Sequence, residues 1–152
     1  MGYTHYLNFS RAKVADIENG DKKFKKAVDL FKKCLEKLPD LKLGDSLGKG
    51  EPIITYEEVC FNGRAELRED HETFRIQLNE PIKSYNKFCK TQHQPYDIAV
   101  CLALLCFKKA FGRNFSYKSD GFCPIDKEVI SGKEKMNEGW QEAVNIMNSI
   151  KQ

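Results

Sequence analysis

At 152 residues the chain has the size of a single globular domain, residues 1–152, and its 41% apolar residues suffice for a core. A net charge of +3, from 25 basic and 22 acidic residues, is too small to require nucleic acid or a membrane surface as a partner. The apolar run over residues 98–107 is too short for a bilayer, which needs about 20 apolar residues, so no membrane partner is expected.

Six cysteines stand at positions 34, 60, 89, 101, 106 and 123. The N-terminal residues MGYTHYLNF have no basic stretch followed by an apolar run, so no secretion signal is expected. Without one, an even number of cysteines is weak evidence for disulfides. Cys34, Cys101 and Cys106 fall on apolar helix faces, which is typical of buried free thiols. We therefore expect the protein to be located in a reducing cytoplasm.

The first predicted element is a strand over residues 2–9, whose side chains alternate between two faces. One face carries Tyr3, His5 and Leu7, and the other carries Thr4, Tyr6 and Asn8. Because neither face is purely apolar, we expect at least one of them to line a cleft or an interface.

A helix is predicted over residues 22–38, after an irregular stretch with a short helical turn, because its apolar side chains follow helical spacing. Asp21 is predicted to cap its start, and Pro39 to end it at Leu38. The opposite face holds seven lysines: Lys22, Lys23, Lys25, Lys26, Lys32, Lys33 and Lys37. Such a face is either simply solvated or a surface that attracts phosphate.

The middle of the chain has strand patterns behind a turn-rich connector. Strands are predicted at residues 53–56, 57–62 and 72–78. Asn62-Gly63 is predicted to form a turn. The segment ETFRIQL alternates most clearly of all, with its apolar side chains on one face.

The last third contains a polar, irregular stretch followed by the most apolar helix of the chain. In order, we predict a polar loop at 88–97, a buried helix at 98–107, a strand at 114–119 and a helix at 132–150. Together the elements predict an α+β fold: a small mixed or mainly antiparallel sheet packed against three helices, one of them buried.

A candidate site lies where the polar loop meets the buried helix. Pro95 and Asp97 suit the first turn of a helix, so one interpretation is purely structural capping. The other is an anion site formed by Lys90, Thr91 and the nearby amides. Asp97 would repel a phosphate there, unless it binds a ribose hydroxyl, a base or a metal instead.

Other chemistries have weaker support. Cys89 and His93 have a plausible spacing for metal ligands, but no second pair follows, whereas structural zinc sites use four ligands grouped in pairs. Walker, dinucleotide-binding, zinc-protease and hydrolase motifs are absent from the sequence. We therefore expect no metal and no cofactor. His5 and Glu72 lie on predicted strands among aromatic residues, the composition of a ligand pocket.

Several segments resemble a family of small uncharacterised proteins from bacteriophages, prophages and some bacteria, which typically begin MGYTHYW. These segments are MGYTHY, EEVCFNG, ETFRI, FCKTQHQPYD followed by the apolar helix, and SYKSDG. The chain has Leu7 where the family usually has tryptophan. The resemblance implies a phage-type accessory protein that acts in the cytoplasm of a bacterial host, and it carries over no catalytic residue.

Small phage proteins of this kind often counter host defence, and one class resembles sponges that sequester nucleotide immune signals. We therefore expect a homo-oligomeric anti-defence protein that binds a small nucleotide-derived signal. The expected ligand-binding residues are Tyr3, His5, Tyr6, Glu72, Lys90, Thr91, Tyr96 and Asp97. Two alternatives remain open. One is an enzyme that degrades the nucleotide, with His5 as general base and Asp97 or Glu72 as its partner. The other is a protein-interaction module that inhibits a host factor.

Overall fold

The described part of the computed structural model, residues 3–120 and 138–150, forms two antiparallel sheets and three α-helices. In chain order the elements are β1 Thr4–Phe9, α1 Gly20–Glu36, β2 Leu43–Gly44, β3 Ile53–Ile54, β4 Glu58–Gly63, β5 Phe74–Gln77, β6 Phe88–Lys90, α2 Asp97–Phe111, β7 Phe115–Ser119 and α3 Glu138–Ser149. The predicted α+β class is therefore confirmed.

The first sheet has β1 at its centre, between β6 and β7. His5 is opposite Cys89 of β6 on one side and Ser119 of β7 on the other. The predicted alternation of β1 is confirmed: Tyr3, His5 and Leu7 are buried on one face, while Tyr6 on the other face is exposed. The buried face thus carries a histidine at the middle of the sheet.

The second sheet is organised around β4. Strand β5 pairs with residues 58–61 of β4, while β3 and β2 pair with its first and last parts respectively. Just before β5, the backbone N–H of Glu72 donates to the carbonyl oxygen of Lys90 at 3.2 Å. This hydrogen bond joins the second sheet to β6 of the first.

Helix α2 is the buried helix that the sequence predicts. Every residue from 99 to 107 is buried, and the helix packs against both α1 and α3. The fully buried rings of Phe24, Phe31, Phe61 and Phe107 extend the same core from the helices to the second sheet. In the described residues, no helix has both the length and the hydrophobicity that crossing a membrane requires.

Helix α1 begins two residues earlier than predicted, because Asn19 rather than Asp21 is the N-cap. Asn19 adopts a left-handed conformation at φ 57°, and Gly20 then approaches the carbonyl oxygen of Val14 so closely that a Cβ would clash with it. Asp21 lies in the first turn instead. The helix start therefore depends on a close backbone contact, six residues back along the chain, that only glycine allows.

Asn62-Gly63 is not the predicted turn: both residues belong to β4 and pair with β2. The Asn62 side chain accepts hydrogen bonds from the backbone N–H groups of Gly63 and His71, at 2.7 and 3.0 Å. A Cβ at Gly63 would clash with the carbonyl oxygen of Glu69. The glycine thus allows a close approach of two backbones inside the sheet rather than a hairpin.

Two short strands lie where the sequence predicts loops. Strand β2 is in the turn-rich connector, and β6 is in the polar stretch before the buried helix. Each has at most three residues, too few to show an alternation, so each depends on the partner strand against which it lies. The first part of the predicted last helix, residues 132–137, lies outside the described residues.

The buried helix should dominate the stability of the fold. Leu104 of α2 is fully buried, so Leu104→Ala should lower the free energy of unfolding by about 2–5 kcal/mol. Leu47 is 69% exposed, so Leu47→Ala should change it by less than about 0.5 kcal/mol. Urea unfolding followed by circular dichroism measures both, and equal losses would contradict this placement of α2.

Candidate functional site

His5 occupies the centre of the candidate site. Its ring is fully buried, with the Tyr3 ring edge-on at 5.0 Å between centroids and the Trp140 ring edge-on at 5.7 Å. Tyr3 in turn stacks on His93 at 3.8 Å. The indole N–H of Trp140 donates to the Ser119 hydroxyl at 2.9 Å, which ties α3 to β7 beside the histidine. Aromatic rings therefore fix the orientation of the imidazole.

The Asp97 carboxylate brings together three separate parts of the chain. Its Oδ1 atom lies 2.6 Å from His5 Nε2 and accepts a hydrogen bond from the Thr91 hydroxyl at 2.5 Å. Its Oδ2 atom accepts a weaker hydrogen bond from the Cys101 thiol at 3.7 Å. Asp97 is also the first residue of α2, where the helix dipole favours a negative charge. Asp97 therefore lies in the first turn as the sequence predicts, but its carboxylate binds side chains rather than capping the backbone N–H groups of the helix.

The two ring nitrogens of His5 have different surroundings. An ionised carboxylate only accepts hydrogen bonds, so Nε2 is the atom that carries the proton toward Asp97. The other ring nitrogen, Nδ1, is buried and has no hydrogen-bond partner among the described residues. In the neutral ring Nδ1 carries a lone pair. An aspartate-oriented imidazole with a free lone pair is the arrangement of a general base.

His5, Asp97 and Cys101 also offer metal-ligand atoms within 4.8 Å of one another. However, His5 Nε2 and Asp97 Oδ1 are only 2.6 Å apart, a direct hydrogen-bond distance. Metal bonds of about 2.0–2.2 Å to both atoms would push them further apart. The geometry therefore favours a hydrogen-bonded network over a metal centre at these residues.

Glu72, Lys90 and Tyr96 form a second cluster, here called the sheet junction. The Glu72 carboxylate accepts the backbone N–H of Lys90 at 3.0 Å, and the Tyr96 hydroxyl donates to the Glu72 carbonyl oxygen at 2.6 Å. His71 Nδ1 donates to the Lys90 carbonyl oxygen at 2.6 Å. The sheet junction is next to the hydrogen-bonded residues His5 and Asp97, here called the buried pair. Thr91 follows Lys90, and the Thr91 N–H donates to the Tyr3 carbonyl oxygen.

The eight predicted site residues therefore divide into groups. Tyr3, His5, Thr91 and Asp97 lie together, and Glu72, Lys90 and Tyr96 form the sheet junction. The structure does not bring Tyr6 to either group. Tyr6 is 46% exposed and lies on the face of β1 opposite His5. Lys90 is opposite Thr4 in the sheet, and its exposed side chain is on the face opposite His5.

Burial governs the acidity of the neighbouring polar groups. It raises the pKa of the Cys101 thiol, and the nearby Asp97 carboxylate raises that pKa further. Burial likewise raises the pKa of the Cys89 thiol and of the Tyr96 phenol. These groups stay protonated at neutral pH and act here as hydrogen-bond donors rather than as nucleophiles.

An open cleft of about 460 Å³ lies against the sheet junction. Its lining combines two aromatic rings, one cation and several polar groups: Ser46, Leu47, Glu72, Thr73, Arg75, Tyr85, Asn86 and Phe88. A larger groove of about 610 Å³ has five leucines but no aromatic side chain and no predicted site residue. The smaller cleft thus has the composition of a small-molecule site, and Glu72 links it to the buried pair.

The sequence analysis did not predict several residues at or near these sites, among them Arg75, Tyr85 and Trp140. Arg75 follows the predicted alternation of β5, and the segment around Tyr85 has no periodic signal. In the sequence, Trp140 belongs to the apolar residues that recur at helical spacing in the last predicted helix, and nothing in that pattern marks it as a site residue. Its being the sole tryptophan is the one sequence feature that sets it apart.

Comparison of the chain with protein-family profiles, with curated proteins and with solved structures found no match.

The Asp97 network should be essential to stability. Asp97→Ala leaves the donors of His5 and Thr91 buried without an acceptor, so we expect a loss of about 3 kcal/mol in the free energy of unfolding. Asp40→Ala, an exposed aspartate, is the matched control and should cost under about 0.5 kcal/mol. Chemical unfolding measures both. A similar small loss for the two variants would show that the network contributes little.

Proposed function

We propose that the protein binds and sequesters a small nucleotide-derived signal, and that it does so in the cleft at the sheet junction. The observation that carries this proposal is the lining of that cleft. Tyr85 and Phe88 offer rings on which a base can stack, Arg75 offers a guanidinium for phosphate, and Glu72 offers a carboxylate for sugar or base hydrogens.

The buried pair supports the cleft rather than contacting the ligand in this conformation. His5 and Tyr96 are fully buried, so their rings pack against protein and have no free face for a base. The His5–Asp97 pair fixes the residues before α2, and Lys90 in turn holds Glu72. We infer that this chain of hydrogen bonds keeps Glu72 in place at the cleft, which reduces the entropy lost on binding.

The proposed setting is a bacterial host cytoplasm, as for a phage-type anti-defence protein. The resemblance of the MGYTHY and FCKT segments to phage and prophage proteins motivates it. The thiols support a reducing compartment, since the five described cysteines are all free, including two whose sulfurs lie 3.8 Å apart. We further propose a homo-oligomer, which light scattering of the purified protein tests directly.

Ligand binding can be measured by calorimetry or native mass spectrometry against cyclic ADP-ribose isomers and cyclic di- and trinucleotides. We expect one of these ligands to bind at micromolar protein or below. Tyr85→Ala should weaken binding about tenfold or more, because stacking on an aromatic ring contributes about 1–3 kcal/mol per base. Tyr56→Ala is the matched control, since Tyr56 is 43% exposed but lies beside α1, and it should bind normally.

Arg75→Gln should weaken binding of the same ligand by at least tenfold, through loss of a charge-assisted contact to phosphate. Because Arg75 also pairs with Glu58 at 3.4 Å, a melting curve of the variant must first show that it is folded. If none of the nucleotides binds to the unmodified protein, the proposed function is wrong. If one binds but Tyr85 and Arg75 are both dispensable, the cleft is the wrong site.

Degradation of the nucleotide is a second candidate, favoured by the Nδ1 atom of His5, which has no hydrogen-bond partner among the residues that the structure describes. An enzyme would leave a product in the mixture, whereas a sequestering protein returns the ligand intact once it is denatured. Chromatography of the released ligand separates the two. Loss of product formation in His5→Gln would support His5 as the base, provided that a melting curve shows the variant to be folded.

Inhibition of a host protein through the lysine-rich face of α1 is the remaining alternative. That face is largely exposed, and Lys25 and Lys32 lie over the Tyr56 ring at 5.2 and 5.3 Å. Reversing the charge of Lys22, Lys25 and Lys33 to glutamate would abolish such an activity but leave nucleotide binding unchanged.

A further inference from the structure

Three sulfur atoms meet where the three helices meet. Cys34 lies on α1, Cys106 on α2 and Met147 on α3. The two thiol sulfurs are 3.8 Å apart, and the thioether sulfur of Met147 is 3.5 Å from Cys34 and 3.8 Å from Cys106. Each helix therefore contributes one sulfur to a nearly equilateral triangle.

The dimensions of this triangle suit a metal ion at its centre. The centre of an equilateral triangle lies one side divided by √3 from each corner, which is about 2.1 Å for a side near 3.7 Å. Metal–thiolate bonds are about 2.3 Å long. A trigonal ion would therefore require the sulfurs to move apart by only a few tenths of an ångström.

We propose that Cys34, Cys106 and Met147 form a three-coordinate site for a soft metal ion, Cu(I). Soft thiolate and thioether ligands favour Cu(I), zinc and iron–sulfur clusters among the first-row metals. A structural zinc ion normally takes four ligands in a tetrahedron. Among the described residues, no His, Asp or Glu forms a group of potential metal ligands with Cys34 and Cys106, so none of these residue types supplies a fourth ligand.

Binding is an exchange of protons for the metal. Cu(I) displaces the protons of both thiols, which pass to solvent, and Met147 donates a lone pair without losing a proton. The complex of one Cu(I), two thiolates and one thioether has a net charge of −1. No oxidant or reductant is consumed, because the copper enters and stays in the Cu(I) state.

The site has an entrance on one side. Cys34 and Cys106 are fully buried, but Met147 is only half-buried. The unbranched methionine side chain has three rotatable bonds, so it can swing aside to admit an ion and return to bind it. Because the sulfurs come from three helices, an ion bound to all of them would cross-link the helices and stabilise the folded state.

The test uses the full chain, reduced and free of oxygen, titrated with Cu(I) in competition with a chromogenic Cu(I) chelator. We expect one tightly bound Cu(I) per chain, a rise in melting temperature, and an X-ray absorption spectrum with three sulfur neighbours. Cys106→Ala should remove the site. Cys60→Ala is the matched control, because Cys60 is also buried but belongs to β4, and it should bind like the unmodified protein.

Met147→Leu separates a true ligand from a packing residue. Leucine conserves the volume of methionine, so this variant should fold normally. We expect it to bind Cu(I) at least tenfold more weakly. Equal binding in Met147→Leu would overturn the three-sulfur site. Binding in the unmodified protein that is no tighter than in Cys106→Ala would show that the triangle is core packing only and would overturn the proposal altogether.

Discussion

The arrangement of the first sheet around α2 depends on one buried carboxylate. Asp97 accepts hydrogen bonds from β1 through His5, from the residue after β6 through Thr91, and from the next turn of its own helix through Cys101. A buried carboxylate is costly without such donors, so its presence requires that all three segments stay in place. The strand, the loop and the helix are consequently held to one another by a polar contact as well as by packing.

This constraint extends outward to the cleft through the backbone. Thr91 is next to Lys90, whose N–H and carbonyl groups hold Glu72. Glu72 precedes β5 and lines the cleft together with Arg75. The buried pair and the open cleft are thus two ends of one hydrogen-bonded structure. Hydrogen bonds from the interior thus hold Glu72 at the edge of the cleft.

The helices are joined in a different way. Where α1, α2 and α3 meet, the apolar core includes three sulfur atoms in contact, which are soft and polarisable and tolerate an irregular junction. The hydrogen bond from Cys106 lowers the pKa of the Cys34 thiol, whereas burial raises the pKa of the Cys106 thiol. The molecule therefore has a polar network on the sheet side of α2 and a sulfur cluster at its contacts with the other helices.

Sequence patterns predicted the long elements well, because each has enough residues for a periodicity to show. The alternation of β1 grouped His5 with Tyr3 and Leu7 on one face, and the unbroken apolar run identified α2 as a buried helix. Local signals failed at two glycines, where the backbone folds back on itself over six residues. Gly20 closely approaches Val14 and Gly63 closely approaches Glu69, and neither contact has a periodic signal in the sequence.

The sequence by itself determined the α+β class, the buried helix, the faces of β1 and most of the residues that gather near Asp97. Only the tertiary structure decided which of those residues meet. The pairing of β6 with β1 put Thr91 and Asp97 beside His5, turned Lys90 away from them, and left Tyr6 exposed on the other face. The tertiary structure also brought Arg75 and Tyr85 to the edge of a cleft. The physical reason is that strand register and helix packing are set by contacts between residues far apart in the chain, which a local pattern does not contain.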